Sequence, residues 1–437
     1  MKLAIHGGVP VRKKPFPHYN PIGKDEKQAV NRVLDSGLLS QYLGCWHENF
    51  YGGIEVKTLE EEWADYFGVK YAIAVNSCTS GLYCAVGAIC TEPEVEIIVS
   101  PYTMSASATA PLIFNAIPVF ADIEEDYFCL DVNAIEKRIT SKTKAIIVPD
   151  IFGLPYDAHG INALANKHKL YVIEDAAQAP GALYDGAYAG TLGDIGVFSL
   201  NYHKHIHCGE GGVVVTNDDG LAERVQLIRN HAEAVVEGKG LADIRNMIGF
   251  NFRLPEIESA IARCQLRKLS DLVGQRQDNC EYLSERLACI PPIIQPKIRE
   301  ECTHAYYLHC LKFDEQQTII PRNVYIDAVR AELSGSDLRE KEGVLLFNGY
   351  VKPLYLQPIF QKKIAYGLKG YPWKNSDVEY GTGICPVAEK MYNSELFYHS
   401  LMTPGMSKED LDDVVLAFEK VWKYRRDLID DSERLNR

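Results

Sequence analysis

Over its first two-thirds the chain alternates short β-rich runs with segments of helical periodicity, and this alternation narrows its possible folds more than any other feature. Residues 71–76, 96–100, 118–122, 144–148, 170–174, 196–200 and 212–216 read as strands rich in Val, Ile and aromatic residues. Between the first two, Leu82, Ala85, Val86 and Ile89 fall at helical spacing. Ahead of them Leu59, Trp63 and Tyr66 do the same and stop at Gly68. Strands alternating with helices predict an α/β domain around a mainly parallel sheet, layered α/β/α.

Around Glu256 the texture changes. Ile257, Ala260, Ile261 and Cys264 share one face of a long helical stretch that runs toward Leu272. A mixed segment follows, strand-like over 306–313 and helical over 324–333, and then a Gly/Tyr/Pro-rich stretch over 347–373. Ser407 and Asp410 make a capping-box pair opening a final helix, with Leu411, Val414, Val415, Phe418 and Trp422 on its apolar face. The expected division is a large domain over 1–265 with an N-terminal arm, and a smaller C-terminal α+β domain over 266–437.

Composition narrows the function classes. With 46 Lys+Arg against 59 Asp+Glu, the net charge of −13 gives no basis for general binding to nucleic acid or an anionic membrane. No apolar run is long enough to span a bilayer, and residues 1–8 hold no apolar segment of secretory length. The twelve cysteines are scattered without a CxxC pair. Several, including Cys84, Cys90, Cys264 and Cys310, sit in apolar runs and read as reduced core residues of a cytoplasmic protein.

Four segments carry possible chemistry. Asn76-Ser77-Cys78-Thr79-Ser80-Gly81 joins a strand to a helix and makes an anion site or, more simply, a cap through Thr79 or Ser80. Glu174-Asp175-Ala176-Ala177-Gln178 ends a strand, where open α/β sheets place ligands. An acid there holds a metal, a ribose or a protonated ring nitrogen, or merely caps a helix. Lys204 follows a strand and precedes the glycine-dense turn Gly209-Glu210-Gly211-Gly212, a setting for a nucleophilic amine. His203, His205 and His207 alternate around it and would share a face on a strand, but no accompanying ligand spacing supports a metal. Asn251 and Arg253 stand before the Glu256 helix and either face a ligand or cap and pair locally.

Taken together and in order, from Leu3-Ala4-Ile5-His6-Gly7-Gly8 through these segments to Cys385-Pro386-Val387-Ala388-Glu389, the chain resembles the DegT/StrS family of aminotransferases. The resemblance implies a fold-type I transferase that uses pyridoxal 5′-phosphate, with pyridoxamine 5′-phosphate as the other half-reaction form. It implies a homodimer with shared active sites. It places Lys204 as the Schiff-base lysine, where sister dehydratases carry histidine. Asp175 then pairs with the pyridine nitrogen, Gln178 lies near the phenolic oxygen, and Thr79, Ser80 and Ser199 cradle the phosphate. Asn251 reaches the phosphate of the other subunit's cofactor. Met104 stands where the family usually stacks an aromatic on the ring, unless Tyr102 takes that role from a shifted loop.

The implied reaction is ping-pong transfer from glutamate or glutamine to a keto sugar, in a pathway to a polysaccharide or an antibiotic sugar. A nucleotide-linked sugar is the expected acceptor, with a cyclitol or other polyhydroxy ketone as the alternative. His304-Ala305-Tyr306-Tyr307 and Pro353-Leu354-Tyr355 match segments that meet substrate in the family. Tyr350, Tyr355, Tyr366 and Tyr371 either stack on a sugar or base or line a tyrosine-rich surface. Another reaction type on the same fold, a non-catalytic scaffold and a metal-dependent hydrolase are the competing readings.

Overall fold

A computed structural model describes residues 2–89, 92–337 and 340–429. Its main sheet has seven strands: β1 (Tyr71–Val75), β2 (Glu96–Val99), β3 (Ile117–Phe120), β4 (Thr143–Pro149), β5 (Tyr171–Asp175), β8 (Ile195–Ser199) and β9 (Gly212–Thr216). The short hairpin of β6 (Leu183–Tyr184) and β7 (Ala187–Tyr188) lies outside it. The strand order is β1-β9-β8-β5-β4-β2-β3, parallel throughout except that β9 runs against both neighbours. The α/β expectation holds, and each strand falls within two residues of its predicted bounds.

Both faces of the sheet are covered, which is why its strands are apolar at nearly every position. Alternation sends Ile73, Val75, Val197 and Val214 into one core and Ala72, Ala74, Phe198 and Val213 into the other. In that second core Trp63 stacks on Phe67 and meets Phe198 edge-on. Both rings belong to helix α2 (Ile54–Phe67), which ends as predicted at Gly68 in the left-handed region. Helix α1 (Lys24–Ser36) precedes it, and helices α3 (Cys78–Ala88) and α4 (Ser105–Ile113) follow β1 and β2.

The long helix expected from Glu256 is instead two, Glu256–Leu266 and Leu269–Leu287. At the break, Gln265 Nε2 and Lys268 Nζ both donate to the Pro21 carbonyl and to Glu26. Those bonds tie the turn to the start of α1. The predicted face of the first helix, Ala260 and Cys264, does pack on Ala29 and Val33 of α1.

A second, antiparallel sheet has the order β10-β11-β13-β12, from β10 (Ile293–Ile294), β11 (His309–Phe313), β12 (Leu346–Asn348) and β13 (Leu396–His399). Its core takes Val414, Val415 and Phe418 from the helix Lys408–Lys423, which opens with the predicted Ser407–Asp410 capping box. Leu3 and Phe16 of the N-terminal arm join this core, and Arg12 pairs with Asp410 and Asp413. The stretch after β12 instead reaches back to the main sheet. Tyr355 and Phe360 pack on Phe120, and Tyr380 Oη donates to the Pro118 carbonyl on edge strand β3. Tyr355 and Tyr380 thereby help to cover that edge.

Among the described residues eleven cysteines are free. Cys84, Cys264 and Cys310 are buried, and Cys90 lies outside the described residues. No helix of the described residues is long and apolar enough to cross a membrane.

One buried polar chain in the small sheet has a forced proton order. The Leu401 amide donates to His399 Nδ1, so His399 carries its proton on Nε2 and donates to His309 Nδ1 at 3.0 Å. His309 must then donate from Nε2 to Ser284 Oγ at 2.9 Å. Burial pushes His309 down to about 3 and His399 well below its ordinary value. A histidine depressed from 6.5 stabilises the fold fully above that pH and loses its contribution as pH falls toward 3. By pH 5 His309 costs about 2 kcal/mol. His309→Asn keeps an acceptor for His399 but cannot titrate. The expected result is a smaller drop in urea midpoint between pH 7.5 and 5 than in the wild type; equal drops would refute the assignment.

Candidate active site

The carboxyl ends of β5 and β8 meet the N-terminus of α3, and most of the candidate residues gather there. Asp175 closes β5. Its Oδ2 accepts from Ser107 Oγ at 2.6 Å, and its Oδ1 accepts from the Ala177 amide at 3.3 Å and from Cys78 Sγ at 3.8 Å. Its neighbour Glu174 points to the other face, where the amides of Gly190, Leu192 and Gly193 bind its carboxylate. Strand alternation therefore decides between the two acids: Glu174 is structural and Asp175 faces the site. Glu174 lies against the fully buried Asp150, and burial raises the pKa of both carboxyls, that of Asp150 well above its ordinary value.

Ser77, not Thr79 or Ser80, caps α3, its Oγ accepting from the Ser80 amide at 3.0 Å. Thr79 and Ser80 fall in the first turn, where helix amides are free to meet an anion. Ser80 Oγ donates to Asn76 Oδ1 at 2.6 Å. Ser199 ends β8 opposite Gly212, and Gly212 lies so close to the start of α3 that an added Cβ would stand 2.7 Å from the Cys78 nitrogen. This close approach sets the strand pair that carries Ser199 against the start of α3. Gly212→Ala must push β9 and α3 apart. The expected outcome is at least about 10-fold weaker retention of a phosphate-bearing ligand with unchanged circular dichroism; equal retention would show that the approach is not needed.

Lys204 sits on the loop between β8 and β9, which Asn201 and Gly209 close as an isolated bridge. The segment is not a strand, so the three histidines do not share a face. His203 is exposed and packs on Tyr202, while His205 is buried and donates from Nε2 to the Ala305 carbonyl at 2.8 Å. Tyr19 Oη donates to the His205 carbonyl and fastens the loop from the N-terminal side. Among the described residues no cluster suits a metal ion. The Lys204 side chain is buried, with Nζ 4.1 Å from the centre of the Tyr307 ring.

Gln178 Oε1 accepts from the Phe152 amide at 2.7 Å, which fixes the amide so that Nε2 donates to Tyr350 Oη at 3.1 Å. Tyr102 is fully enclosed, meeting Phe152 and Tyr350 edge-on, and its hydroxyl accepts from the Tyr350 amide. That enclosure keeps it from any flat ligand. Met104, 55% exposed at the entry of α4, is the residue free to meet one.

Asn251 stands apart. Its side chain is exposed and accepts from Arg253 Nε at 2.8 Å, while its carbonyl accepts from Asn76 Nδ2 at 3.3 Å. It lines a 420 Å³ hollow with Ser40, Asn76, Arg253 and Glu210, the last from the connection that carries Lys204.

Sequence reasoning missed Ser107 and Cys78 as partners of Asp175, Ser77 as the cap, and Tyr350 as the partner of Gln178. Ser77 is legible as a capping hydroxyl at the strand end. The others depend on packing between separate βα units and leave no local signal.

The donor set suits a phosphorylated pyridine aldehyde. It combines a buried amine, a carboxylate fixed at the right end of the sheet, and hydroxyls at a helix N-terminus. Comparison with known proteins agrees. The profile of the DegT/DnrJ/EryC1/StrS aminotransferase family matches residues 20–419. The chain is 30% identical to the spore coat polysaccharide biosynthesis protein SpsC of Bacillus subtilis, covering 92% of this chain and 95% of that one. It is 28% identical to the L-glutamine:2-deoxy-scyllo-inosose aminotransferase of Streptomyces kanamyceticus, over 97% of each. A solved aminotransferase from Psychrobacter cryohalolentis superposes with a TM-score of 0.79 at 28% identity, covering 94% of this chain and 99% of that one.

Proposed function

The chain belongs to the DegT/DnrJ/EryC1/StrS aminotransferase family, and from that premise we propose that it holds pyridoxal 5′-phosphate on Lys204 and aminates a nucleotide-linked keto sugar, drawing nitrogen from glutamate or glutamine. The observation that carries this reading is the convergence of Lys204, Asp175 and the α3 cradle at one end of the sheet. The relative acting on 2-deoxy-scyllo-inosose favours a cyclitol ketone as the second acceptor class.

When bound, the cofactor supplies an aldehyde that receives the amino group and a ring that draws off electrons. Asp175 would hold a proton on the ring nitrogen, with Ser107 keeping that carboxylate aimed. Ser80, Thr79 and Ser199 would hold the phosphate. Gln178, itself oriented by Phe152 and Tyr350, would meet the phenolic oxygen, and Met104 would pack against the ring. Lys204 would hold the aldehyde and, when freed, would serve as the base and acid that moves the donor's α-proton. The Tyr307 ring lies beneath Nζ at 4.1 Å.

The same reading covers assembly and place. Asn251 would reach the phosphate of a second copy's cofactor in a homodimer. Supporting this, Leu38, Leu39, Leu43 and Ile248 are exposed, and the Leu43 carbonyl is bound by Asn230, the bridge partner of Asn251. The cofactor domain is assigned to 1–265 and the smaller one to 266–437, in a cytoplasmic enzyme. Incubation with ¹⁵N-glutamate or amide- and amine-labelled glutamine, plus keto-sugar nucleotides and cyclitol ketones, tests the reading. Labelled amine should appear on one acceptor class; label that never leaves the donor with any acceptor would count against it.

A further inference from the structure

Arg276 is a buried cation whose partners are incomplete. It is 2% exposed, yet its Nε has no hydrogen-bond partner and its one bond to a carbonyl runs from Nη1 to Tyr306 at 3.1 Å. Tyr19 supplies a ring 5.1 Å away and a neighbouring hydroxyl, but among the described residues no carboxylate pairs with it. Arg229 Nε is likewise unbonded, but the other buried arginines have a carboxylate or several carbonyls to hold their charge. Arg229 pairs with Glu60 at 2.6 Å, Arg12 with Asp410 and Asp413, and Arg299 with Glu124. Arg224 and Arg322 each bond three or more backbone carbonyls. A desolvated guanidinium normally has such partners, because burial without them is costly.

The unfilled guanidinium lines a 300 Å³ cavity with Tyr19, His203, Tyr307, Ser336 and Tyr350. Tyr307 is the ring over which Lys204 Nζ lies, and Tyr350 is the residue bonded to Gln178. The cavity therefore shares the Tyr307 ring with the reacting amine. We propose that Arg276 anchors a carboxylate of the amino donor in this cavity, a role that rests on the transaminase reading above.

A planar fork of donors matches a carboxylate in two places at once. An oxyanion of either a carboxylate or a phosphate satisfies the charge. Position favours the carboxylate: a donor carries one on the very carbon that bears its nitrogen. In a nucleotide-linked sugar, the diphosphate lies across the sugar from the keto carbon. Arg276 and Lys204 flank the same tyrosine, which suits the shorter span.

Calorimetric titration of the holoenzyme tests this with glutarate, an inert dicarboxylate, beside glutaramide, its neutral counterpart, and inorganic pyrophosphate. The wild type is expected to bind glutarate and not glutaramide. Arg276→Gln should weaken glutarate at least about 30-fold, with Arg276→Lys intermediate, while pyrophosphate binding stays as it was. Equal binding of glutaramide and glutarate by the wild type overturns the proposal. So does glutarate binding unchanged in Arg276→Gln, or loss of pyrophosphate instead. If Arg276→Gln fails to fold, the wild-type comparison and Arg276→Lys still decide. Transamination with glutarate binding indifferent to Arg276 sinks the anchor alone. Glutarate held through Arg276 by a chain that accepts nitrogen from no donor sinks the transaminase reading and keeps the anchor.

Discussion

Lys204→Ala is expected to lower turnover by at least about 10⁴-fold, because it removes both the covalent attachment point and the group that moves the proton. The fold should not change. The Lys204 loop is held by the Asn201–Gly209 bridge, the Tyr19 bond to the His205 carbonyl and the His205 bond to Ala305. Lys204 Nζ contributes its contact with the Tyr307 ring and makes no ion pair among the described residues. The variant should therefore match the wild type in circular dichroism and thermal midpoint, and retain cofactor that a phosphate buffer slowly removes. A small primary amine added to the medium should restore part of the lost rate, since the space and the aromatic floor remain. A Lys204→Ala enzyme with more than a hundredth of wild-type turnover would contradict the role assigned to it.

Asp175→Asn should be the next most damaging change, lowering kcat/KM by roughly 10²–10³-fold. The carboxylate is oriented by Ser107 at one oxygen and by the Ala177 amide and Cys78 thiol at the other. These are all donors, so an amide in that place would turn one donor against another as well as losing the charge. Ser107→Ala provides the comparison. It keeps the charge and loses one orienting bond, and its cost should stay near 10-fold. Steady-state kinetics with cofactor in excess measures both. If Asp175→Asn and Ser107→Ala cost the same, Asp175 acts only by holding α4 in place.

The main sheet was legible because its strands are buried on both faces and flanked by turns, so burial and periodicity point the same way. The break at Arg267–Lys268 was not. Periodicity continues across it, and the turn is held by bonds to Pro21 and Glu26, more than 200 residues away in sequence. The histidine alternation carries no common face, because a period of two has meaning only on a strand and the segment around Lys204 is a loop.

Within the site, resemblance assigned roles to Lys204, Asp175 and Gln178, and the fold brings all three to one end of the sheet. Local sequence gave no sign that Ser107 or Tyr350 would complete their bonds, since each partner arrives on a different element. The tyrosines after β12 show the limit of composition. Tyr355 and Tyr380 close the β3 edge, whereas Tyr350 alone of that stretch meets Gln178.

The central claim is that Lys204 carries a cofactor able to take nitrogen from an amino acid. The near-ultraviolet and visible spectrum of the protein reconstituted with pyridoxal 5′-phosphate tests it most directly, recorded before and after glutamate and then glutamine. The account predicts a yellow band, absent from Lys204→Ala, that bleaches with one of the two donors as a keto acid appears. A band that neither donor changes, or no band at all, would contradict it.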